Sequence, residues 1–447
     1  MSDRLRVAVR VLAFPLAWLA LAPVTARADH RLSTGLTDRE LATHYAPVIY
    51  QDVADGLDND PANFRRDFLT NVDFDGNWDS HDNEENLKSR AFPLRAYVYF
   101  DVIETATHYW IEYSYFHPED WNSFGGTDHE NDMENERVVV EKDGSAYGRF
   151  LVTDLNAHGY LNAYTDRTDI TRGTPFPANQ YRSYGVQFEN DAGSFSETFS
   201  ESFSHLRVYL EPQGHGPASC AEQQRPVGFL NSIECNAAGG TDKVIYRVAA
   251  NGNPALAQEP DYAIIESGVP AQVVSYGLLS GHEALWPLRQ AIEGDAGQPR
   301  LWDSAFAYAP GRNADTDGAN DFTLASAAQL RLGGEFAGDE GGGGGLPPWG
   351  FASVPGVPAA GDWLFDPAYA TAVLYNFGAE HATGYCNYLF NPYLTDLLAT
   401  DAPTSCGTVD EGSGGGCDVG GSSSPVGSAL AVCVGALGHW ARRRRTT

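Results

Sequence analysis

Several short segments of the chain are runs of aromatic and β-branched residues between more polar stretches, and such runs are typical of β-strands. The clearest two, residues 94–102 and 108–116, are separated by residues 103–107, and this spacing predicts a β-hairpin. Both faces of the second segment are rich in aromatic residues, so we expect a strand that is buried on both sides. The same pattern predicts further strands at residues 137–141, 149–155, 206–210 and 244–248.

Two short helices are indicated at the margins of these strands. Thr37 and Glu40 form a capping box, which predicts a helix over residues 38–45. The pair Asp366-Pro367 is typical of a helix start, with an N-cap followed by proline, and it predicts a helix over residues 367–374. Helices therefore play a minor part in the predicted fold.

Long connections are expected between these elements. The chain contains 47 glycines and 25 prolines, which favour turns over helical bundles. Residues 162–204 and 311–349 show no periodicity and are expected to be long surface loops. We therefore predict a mainly β fold, a β-sandwich with peripheral helices and long acidic loops.

Composition and charge exclude two classes of protein. The chain carries 59 acidic and 29 basic residues, a net charge of −30, whereas a nucleic-acid-binding protein needs a cationic surface. Hydrophobic residues make up 43% of the chain and aromatic residues 12%, which is enough apolar surface to exclude general disorder. No nucleic-acid partner is expected.

The beginning of the chain has the pattern of a signal peptide. Basic residues precede an apolar run at 11–24, and Ala26-Arg27-Ala28 matches a small-x-small cleavage site. We predict a signal peptide over residues 1–28, processing after Ala28, and export of the protein. The remaining chain to residue 400 is predicted to form one β-sandwich domain.

The end of the chain has a second targeting pattern. Residues 401–425 are a Gly/Ser-rich linker that contains Cys417, and residues 426–447 combine a short apolar stretch with an arginine block. The apolar stretch is shorter than the roughly 20 residues that span a bilayer. This order resembles the myxobacterial-type C-terminal sorting tail, in which the cysteine is the processing site. The resemblance implies attachment to the outer cell surface, or secretion after processing; a permanent weak anchor is the alternative.

Four cysteines remain besides Cys417 and Cys433 of the tail, and they agree with export to an oxidising compartment. Three pairings of Cys220, Cys235, Cys386 and Cys406 are open from the sequence. We favour the local disulfides Cys220–Cys235 and Cys386–Cys406, because each closes a short polar loop.

Candidate metal ligands are concentrated between residues 117 and 134. Asp132 and Glu134 project to the same side of an extended segment, while His129 and Asp120 lie close by in the sequence. Three carboxylates and one imidazole suit Mg²⁺, Mn²⁺ or Ca²⁺ better than Zn²⁺. The alternative is a solvated acidic loop.

These residues also carry a resemblance to a known family. Residues 128–134 resemble the G-H-x-H-D-W-E heptapeptide of the necrosis-and-ethylene-inducing (NPP1-like) proteins and of the related Vps62-like group. The flanking segments 115–120, 157–160 and 214–216 are similar to elements of the same family. The resemblance implies a divalent-cation site with pocket residues nearby, which would be Asp120, His129, Asp132 and Glu134 as ligands with His158 and His215 in the pocket.

This chain departs from the family pattern at three positions of the heptapeptide. Asp128 replaces the glycine, Asn131 the second histidine and Met133 the tryptophan. The implied metal ligands are kept while the residues around them differ. The resemblance therefore supports cation binding by this chain more strongly than it supports cytolysis.

A second oxygen-rich loop lies upstream. Asp73, Asp75, Asn77 and Asp79 alternate along it and are candidate Ca²⁺ ligands. It is not an EF-hand, because Gly76 comes fourth rather than sixth in the loop. An ordinary turn is the alternative.

Three functions are compatible with these patterns. The first is an exported, cation-binding surface protein, toxin-like or adhesive, that engages a lipid or glycan headgroup at the metal site. The second is a metal-dependent, phosphoesterase-like hydrolase with His158 as the candidate catalytic acid or base. The third is a structural surface module. Binding ranks above hydrolysis, because the sequence holds no separate nucleophile and no second tight metal cluster.

Overall fold

A computed structural model of the chain describes residues 29–53, 61–121, 128–157, 160–173, 181–182, 185–222, 233, 235, 243–261, 271–309, 330–339, 345–351, 360–377 and 388–397. The α-helices within these residues are α1 (Asp38–Tyr45), α2 (Asn83–Ser89), α3 (Gly281–Ala284), α4 (Asp362–Phe365), α5 (Pro367–Leu374) and α6 (Leu394–Leu397). Short 3₁₀-helices occupy Pro61–Asp67, Ser80–Asp82, Ala250–Gly252, Pro254–Leu256 and Trp286–Leu288.

Strands predominate over helices. They are β1 (Val48–Asp52), β2 (Tyr97–Thr105), β3 (His108–Asp120), β4 (His129–Glu141), β5 (Arg149–Ala157), β6 (Tyr160–Tyr164), β7 (Thr171–Arg172), β8 (Tyr181–Arg182), β9 (Phe188–Glu189), β10 (Phe195–Ser196), β11 (His205–Leu210), β12 (Pro217–Ser219), β13 (Lys243–Val248), β14 (Gln272–Ser280), β15 (Ala305–Ala307), β16 (Arg331–Gly333), β17 (Tyr375–Asn376) and β18 (Tyr388–Phe390). The predicted mainly β fold is confirmed.

One curled mixed sheet organises the described strands, in the order β10-β9-β11-β1-β13-β14-β2-β3-β4-β5-β6-β8, with β12 beside β11 and β18 beside β2. Strands from both halves of this order contribute to the same buried core. Ile49 and Tyr246 come from one half, and Phe100, Ile111 and Val138 from the other. The sheet therefore folds over on itself and encloses the core as a sandwich does.

The two predicted helices are confirmed with their caps. The Thr37 hydroxyl accepts a hydrogen bond from the Glu40 amide at 3.1 Å, and the Glu40 carboxylate accepts one from the Thr37 amide at 2.7 Å. The Asp366 side chain caps α5 by accepting from the Tyr369 amide. α1 is held against the sheet, because the Tyr113 hydroxyl donates to the Ala42 carbonyl at 2.6 Å.

The predicted hairpin is confirmed as β2–β3, and β3 and β4, which pair as a second hairpin, are longer than expected. β3 runs to Asp120, and β4 begins at His129, well before the predicted start at residue 137. His117 lies opposite Asp132 and Asp120 opposite His129 in this register. The polar heptapeptide is thus part of a strand, because its backbone pairs with β3 even though its side chains lack a strand pattern.

A second core lies on the outer face of β2–β5, where the C-terminal part of the chain covers it. Trp110 and Val139 of the sheet pack there in one cluster with Trp286, Trp302 and Phe365. The prediction of long surface loops is wrong for the described parts of residues 162–204 and 311–349, since these contain the buried residues Ile170, Phe188, Leu332, Phe336 and Trp349. Phe188 and Leu332 lie on strands of two and three residues, and the other three lie outside the helices and strands, so these segments show no periodicity in sequence.

A row of ionisable side chains crosses the sheet beneath this second core. Asp101, Glu112, Arg137 and Asp154 are cross-strand neighbours on β2 to β5. Arg137 donates to Asp154 from Nε at 3.0 Å and from Nη2 at 2.6 Å, and its guanidinium lies 3.5 Å from the centre of the Trp363 ring. Burial raises the pKa of Asp154 to about 6 and that of Asp101 to about 7.

Asp101 predicts a pH dependence of stability. Its folded-state pKa is raised, so its proton favours the folded state, and this contribution is lost as the pH rises from about 4 through 7. Asp101→Asn keeps an acceptor for the His282 amide and a partner for the Tyr393 hydroxyl. We expect the stability advantage of the variant over the wild type to be larger at pH 8 than at pH 5 by about 2–3 kcal/mol. Urea denaturation at both pH values measures this; an equal difference at both would contradict it.

The disulfide Cys220–Cys235 is confirmed and packs against the residue cluster around Tyr209. Cys386, Cys406, Cys417 and Ala28 lie outside the described residues, so the second disulfide and both processing sites stay predictions. In the described parts of the chain, no helix is both long and apolar enough to cross a bilayer.

Candidate metal centre

Two histidines and one aspartate converge inside the molecule. His117 lies on β3, Asp132 on β4, and His215 in the turn that joins β11 to β12. One potential ligand atom from each lies within 4.8 Å of the other two, and all three side chains are buried. Of the part of the chain that the structure describes, this is the one group of three or more His, Cys, Asp or Glu residues that meets this criterion.

The local sequence explains how the three residues meet. The hairpin register places His117 opposite Asp132, so both side chains point to the same face of the sheet. The turn after β11 then brings His215 over them: Gln213 and His215 adopt φ of 73° and 52°, and the Glu211 amide donates to the Gly216 carbonyl at 3.2 Å. The rings of His117 and His215 stack with their centres 3.7 Å apart.

His215 lies between two carboxylates. Its Nδ1 is 3.0 Å from Asp132 Oδ2, and its Nε2 is 3.2 Å from Asp67 Oδ1. Burial opposes protonation of His215, but the two carboxylate contacts outweigh it and raise the pKa of the imidazole to about 10. At neutral pH His215 is therefore protonated on both ring nitrogens, unless a cation replaces the proton on Nδ1.

His117 has a different environment. Its Nε2 is 3.2 Å from Gln51 Oε1, whereas its Nδ1 has no hydrogen-bond partner among the described residues. Burial and the neighbouring His215 hold the pKa of His117 well below its usual range. The ring is neutral, so one of its nitrogens carries a lone pair. No described residue donates a hydrogen bond to Nδ1, and an unsatisfied polar atom in a buried ring calls for an explanation.

The residues proposed as metal ligands from the sequence form two groups. Asp120 and His129 pair at the end of the hairpin, with His129 Nε2 3.4 Å from Asp120 Oδ2, and both are partly exposed. Asp132 belongs to the buried centre, and Glu134 lies further along β4, opposite Tyr115. A single cation site made of all four residues stays a prediction.

Two more sequence expectations concern the pocket. His215, assigned to it only by resemblance, is part of the centre, whereas His158 lies outside the described residues. His117, Gln51 and Asp67 were not singled out from the sequence. His117 is signalled only by the pairing register, and the other two lie far from the hairpin in sequence.

Asn131, beside Asp132, has a strained backbone that its side chain compensates. Its φ is 61°, and the pairing of β4 with β3 skips this residue. Its amide nitrogen donates to the Ser80 and Ala337 carbonyls at 2.8 Å each, and its oxygen accepts from Asn83 Nδ2 at 2.5 Å. Asn131 thus anchors the hairpin next to the centre, and asparagine suits the left-handed conformation.

Asn131→Ala is expected to lower the free energy of unfolding by about 2–3 kcal/mol. The change leaves two buried carbonyls unsatisfied and keeps the unfavourable φ. Asn131→Gly removes the same hydrogen bonds but allows φ of 61°, so it should recover about 1 kcal/mol of the loss. Chemical denaturation of both variants measures the difference, and an alanine variant at least as stable as the glycine variant would contradict the backbone argument.

The second oxygen-rich loop is held by protein groups. Asp79 Oδ2 accepts from Arg300 Nε at 3.0 Å and Nη2 at 2.6 Å, while Asp75 accepts from the Asn77 amide and from Asn86. Such contacts are those of an ordinary turn. Calcium binding by Asp73, Asp75, Asn77 and Asp79 stays a prediction.

Comparisons with known proteins add a partial similarity of fold. The sequence matches no protein family and no curated protein. Among solved structures, a necrosis and ethylene inducing protein 2 from the causal agent of cocoa's witches' broom disease is 16% identical, over 41% of this chain and 68% of that one, with a TM-score of 0.25. NLPPya in complex with glucosamine is 16% identical, over 42% and 78%, with a TM-score of 0.20. Similarity this weak establishes neither an activity nor a ligand for this chain.

Proposed function

We propose that this chain is an exported surface protein of the NPP1-like type that binds one divalent cation at His117, Asp132 and His215. The observation that carries the proposal is the convergence of these three buried side chains, with ligand atoms within 4.8 Å of one another. A cation there joins the β3–β4 hairpin to the turn after β11. It also accounts for the Nδ1 atom of His117, which lacks a hydrogen-bond partner among the residues that the structure describes.

The role of the cation is to brace a binding surface. His117 and His215 are both 0% exposed, so a large headgroup has no direct contact with a cation at this centre. The partly exposed Asp120–His129 pair lies three residues along β4, or roughly 10 Å away. A lipid or glycan headgroup with hydroxyl or amine donors binds at this end of the hairpin, whose shape depends on the centre.

Export and surface display are part of the same proposal. The disulfide Cys220–Cys235 supports folding in an oxidising compartment. The signal-peptide pattern at residues 1–28 and the cysteine-containing tail after residue 400 supply the route and the attachment. Hydrolysis is not favoured, because the burial of the two histidines keeps a phosphoester away from a cation-bound water.

Calorimetric titration of the chelator-treated protein with divalent cations tests the proposal. We expect one cation per chain in the wild type and none in His117→Phe, which keeps the ring stacked on His215 but removes both nitrogens. His44→Phe is the matched control, because His44 on helix α1 is also a stacked histidine. Its ring lies against the Tyr147 ring, with the ring centres 3.8 Å apart. Binding that survives in His117→Phe, or that fails in the wild type, rejects the proposed centre.

The headgroup part of the proposal has its own test. Binding of the full chain to glycolipid vesicles should be lost with EDTA and after His117→Phe, and should survive moderate monovalent salt. With its net charge of −30, the protein has no general electrostatic attraction to anionic lipid. Binding that resists EDTA but falls steeply with salt would identify a basic patch instead.

A further inference from the structure

The environment of the two histidines determines which nitrogen of each ring carries a proton, and this bears on the kind of cation. Gln51 faces His117, and its amide nitrogen donates to the Asp52 carbonyl at 3.0 Å and to the Glu211 carbonyl at 3.2 Å. These two acceptors fix the orientation of the amide, so Gln51 Oε1 faces the ring. An oxygen there requires a hydrogen on His117 Nε2, which leaves Nδ1 as the bare nitrogen.

Asp67 imposes the same arrangement on His215. Its Oδ1 accepts from Trp121 Nε1 at 3.0 Å and from the Gln213 amide at 2.8 Å, as well as facing His215 Nε2 at 3.2 Å. A carboxylate oxygen surrounded by donors is an acceptor, so His215 Nε2 also carries a hydrogen. The nitrogen that remains for a ligand is again Nδ1, which faces Asp132 Oδ2.

We propose that the centre is a transition-metal site that prefers a cation of the Zn²⁺ type to Ca²⁺ and Mg²⁺, with Gln51 and Asp67 as positioning residues. This inference rests on the proposed function, whose centre it specifies. Two Nδ1 atoms and one carboxylate oxygen form a nitrogen-rich donor set, whereas Ca²⁺ and Mg²⁺ take oxygen ligands. Metal-bound histidines characteristically donate their second N–H to a carboxylate or carbonyl, as both do here.

Part of the geometry already fits such a cation. Ligand atoms around one tetrahedral Zn²⁺ stand roughly 3.3 Å apart. One nitrogen of each ring and one Asp132 oxygen lie within 4.8 Å of one another, and His215 Nδ1 is 3.0 Å from Asp132 Oδ2. Because the two rings are stacked face to face, the His117 ring would turn out of the stack to direct Nδ1 at a cation held by His215 and Asp132. A water molecule would supply the fourth ligand.

Competition titrations of the full chain test the cation preference. We expect Zn²⁺ to bind at least about 100-fold more tightly than Ca²⁺ or Mg²⁺. Asp67→Asn should weaken Zn²⁺ binding about 10- to 100-fold. The matched control is Asp52→Asn, whose carboxylate accepts from the Tyr209 hydroxyl, and it should leave Zn²⁺ affinity unchanged.

A second measurement does not depend on cation affinity. Nitrogen chemical shifts of ¹⁵N-labelled histidine in the cation-free protein report the tautomer, and His117 should be protonated at Nε2 only. Protonation at Nδ1, a preference for Ca²⁺, or an Asp67→Asn variant with wild-type Zn²⁺ affinity would each overturn this inference while leaving a divalent-cation centre in place. Failure to bind any divalent cation would reject the proposed function itself.

Discussion

Replacing Arg137 by methionine is expected to lower the free energy of unfolding by about 3–5 kcal/mol, because it removes the buried cation of the row that crosses β2 to β5. Arg137 is 0% exposed, and its guanidinium is the partner of Asp154 and lies over the Trp363 ring. Without it, Asp154 either keeps an uncompensated buried charge or takes up a proton. Urea denaturation at pH 8 measures the loss.

The double variant Arg137→Met/Asp154→Leu separates the ion pair from the volume of the side chains. Removing both charges leaves neither buried and unpaired, so the double variant should recover most of the stability lost in Arg137→Met. A double variant less stable than Arg137→Met alone would show that Asp154 is stabilising without its partner. In that case the remaining carboxylate has another source of compensation.

Asp132→Asn is expected to weaken divalent-cation binding by at least about 100-fold, since it removes the carboxylate of the buried centre. The amide has nearly the shape of the carboxylate, so the fold should persist. Glu134→Gln, two residues along the same strand, is the matched control: it lies opposite Tyr115, outside the group that converges with His117. Calorimetry should find its affinity within about threefold of the wild type.

These two variants, together with Asp120→Asn, distinguish between two sets of ligands. If Glu134→Gln and Asp120→Asn lose binding as Asp132→Asn does, the four residues proposed from the sequence form the site together. If only Asp132→Asn loses it, the cation lies at the buried His–Asp–His centre. Loss of binding in Glu134→Gln alone would contradict the buried centre.

The sequence predicts the central strands and the first helix well, because the residue types of the strands and the capping residues are local signals. Residues 108–116 form an aromatic and β-branched run and lie in β3, and Thr37 with Glu40 defines the start of α1. The start of β4 at His129 cannot be predicted in this way, because a run of charged residues has no strand pattern. Only its pairing with β3 makes this segment a strand. The sequence therefore indicates Asp132 but not the residue opposite it.

The remainder of the centre has no local signal. Gln51, Asp67 and His215 come from β1, the end of a 3₁₀-helix and a turn, and they meet the hairpin only through the curled sheet. The second core also has no local signal in the sequence. Trp302 and Trp349 lie in irregular segments, where burial is decided by the sheet face that they cover and not by periodicity.

The strand order also bears on how the molecule reaches its native state. Strands β2 to β6 follow one another along the chain as antiparallel neighbours. In contrast, β1 pairs with β11 and β13, which lie far from it in the sequence. Contacts close in sequence form faster than distant ones, so the consecutive strands are expected to assemble first. His117 and Asp132 belong to this early unit, and His215 arrives with the late pairing. If the proposed centre holds a cation, we expect its capture to be a late folding event, and a chelator should then speed unfolding more than it slows the first collapse.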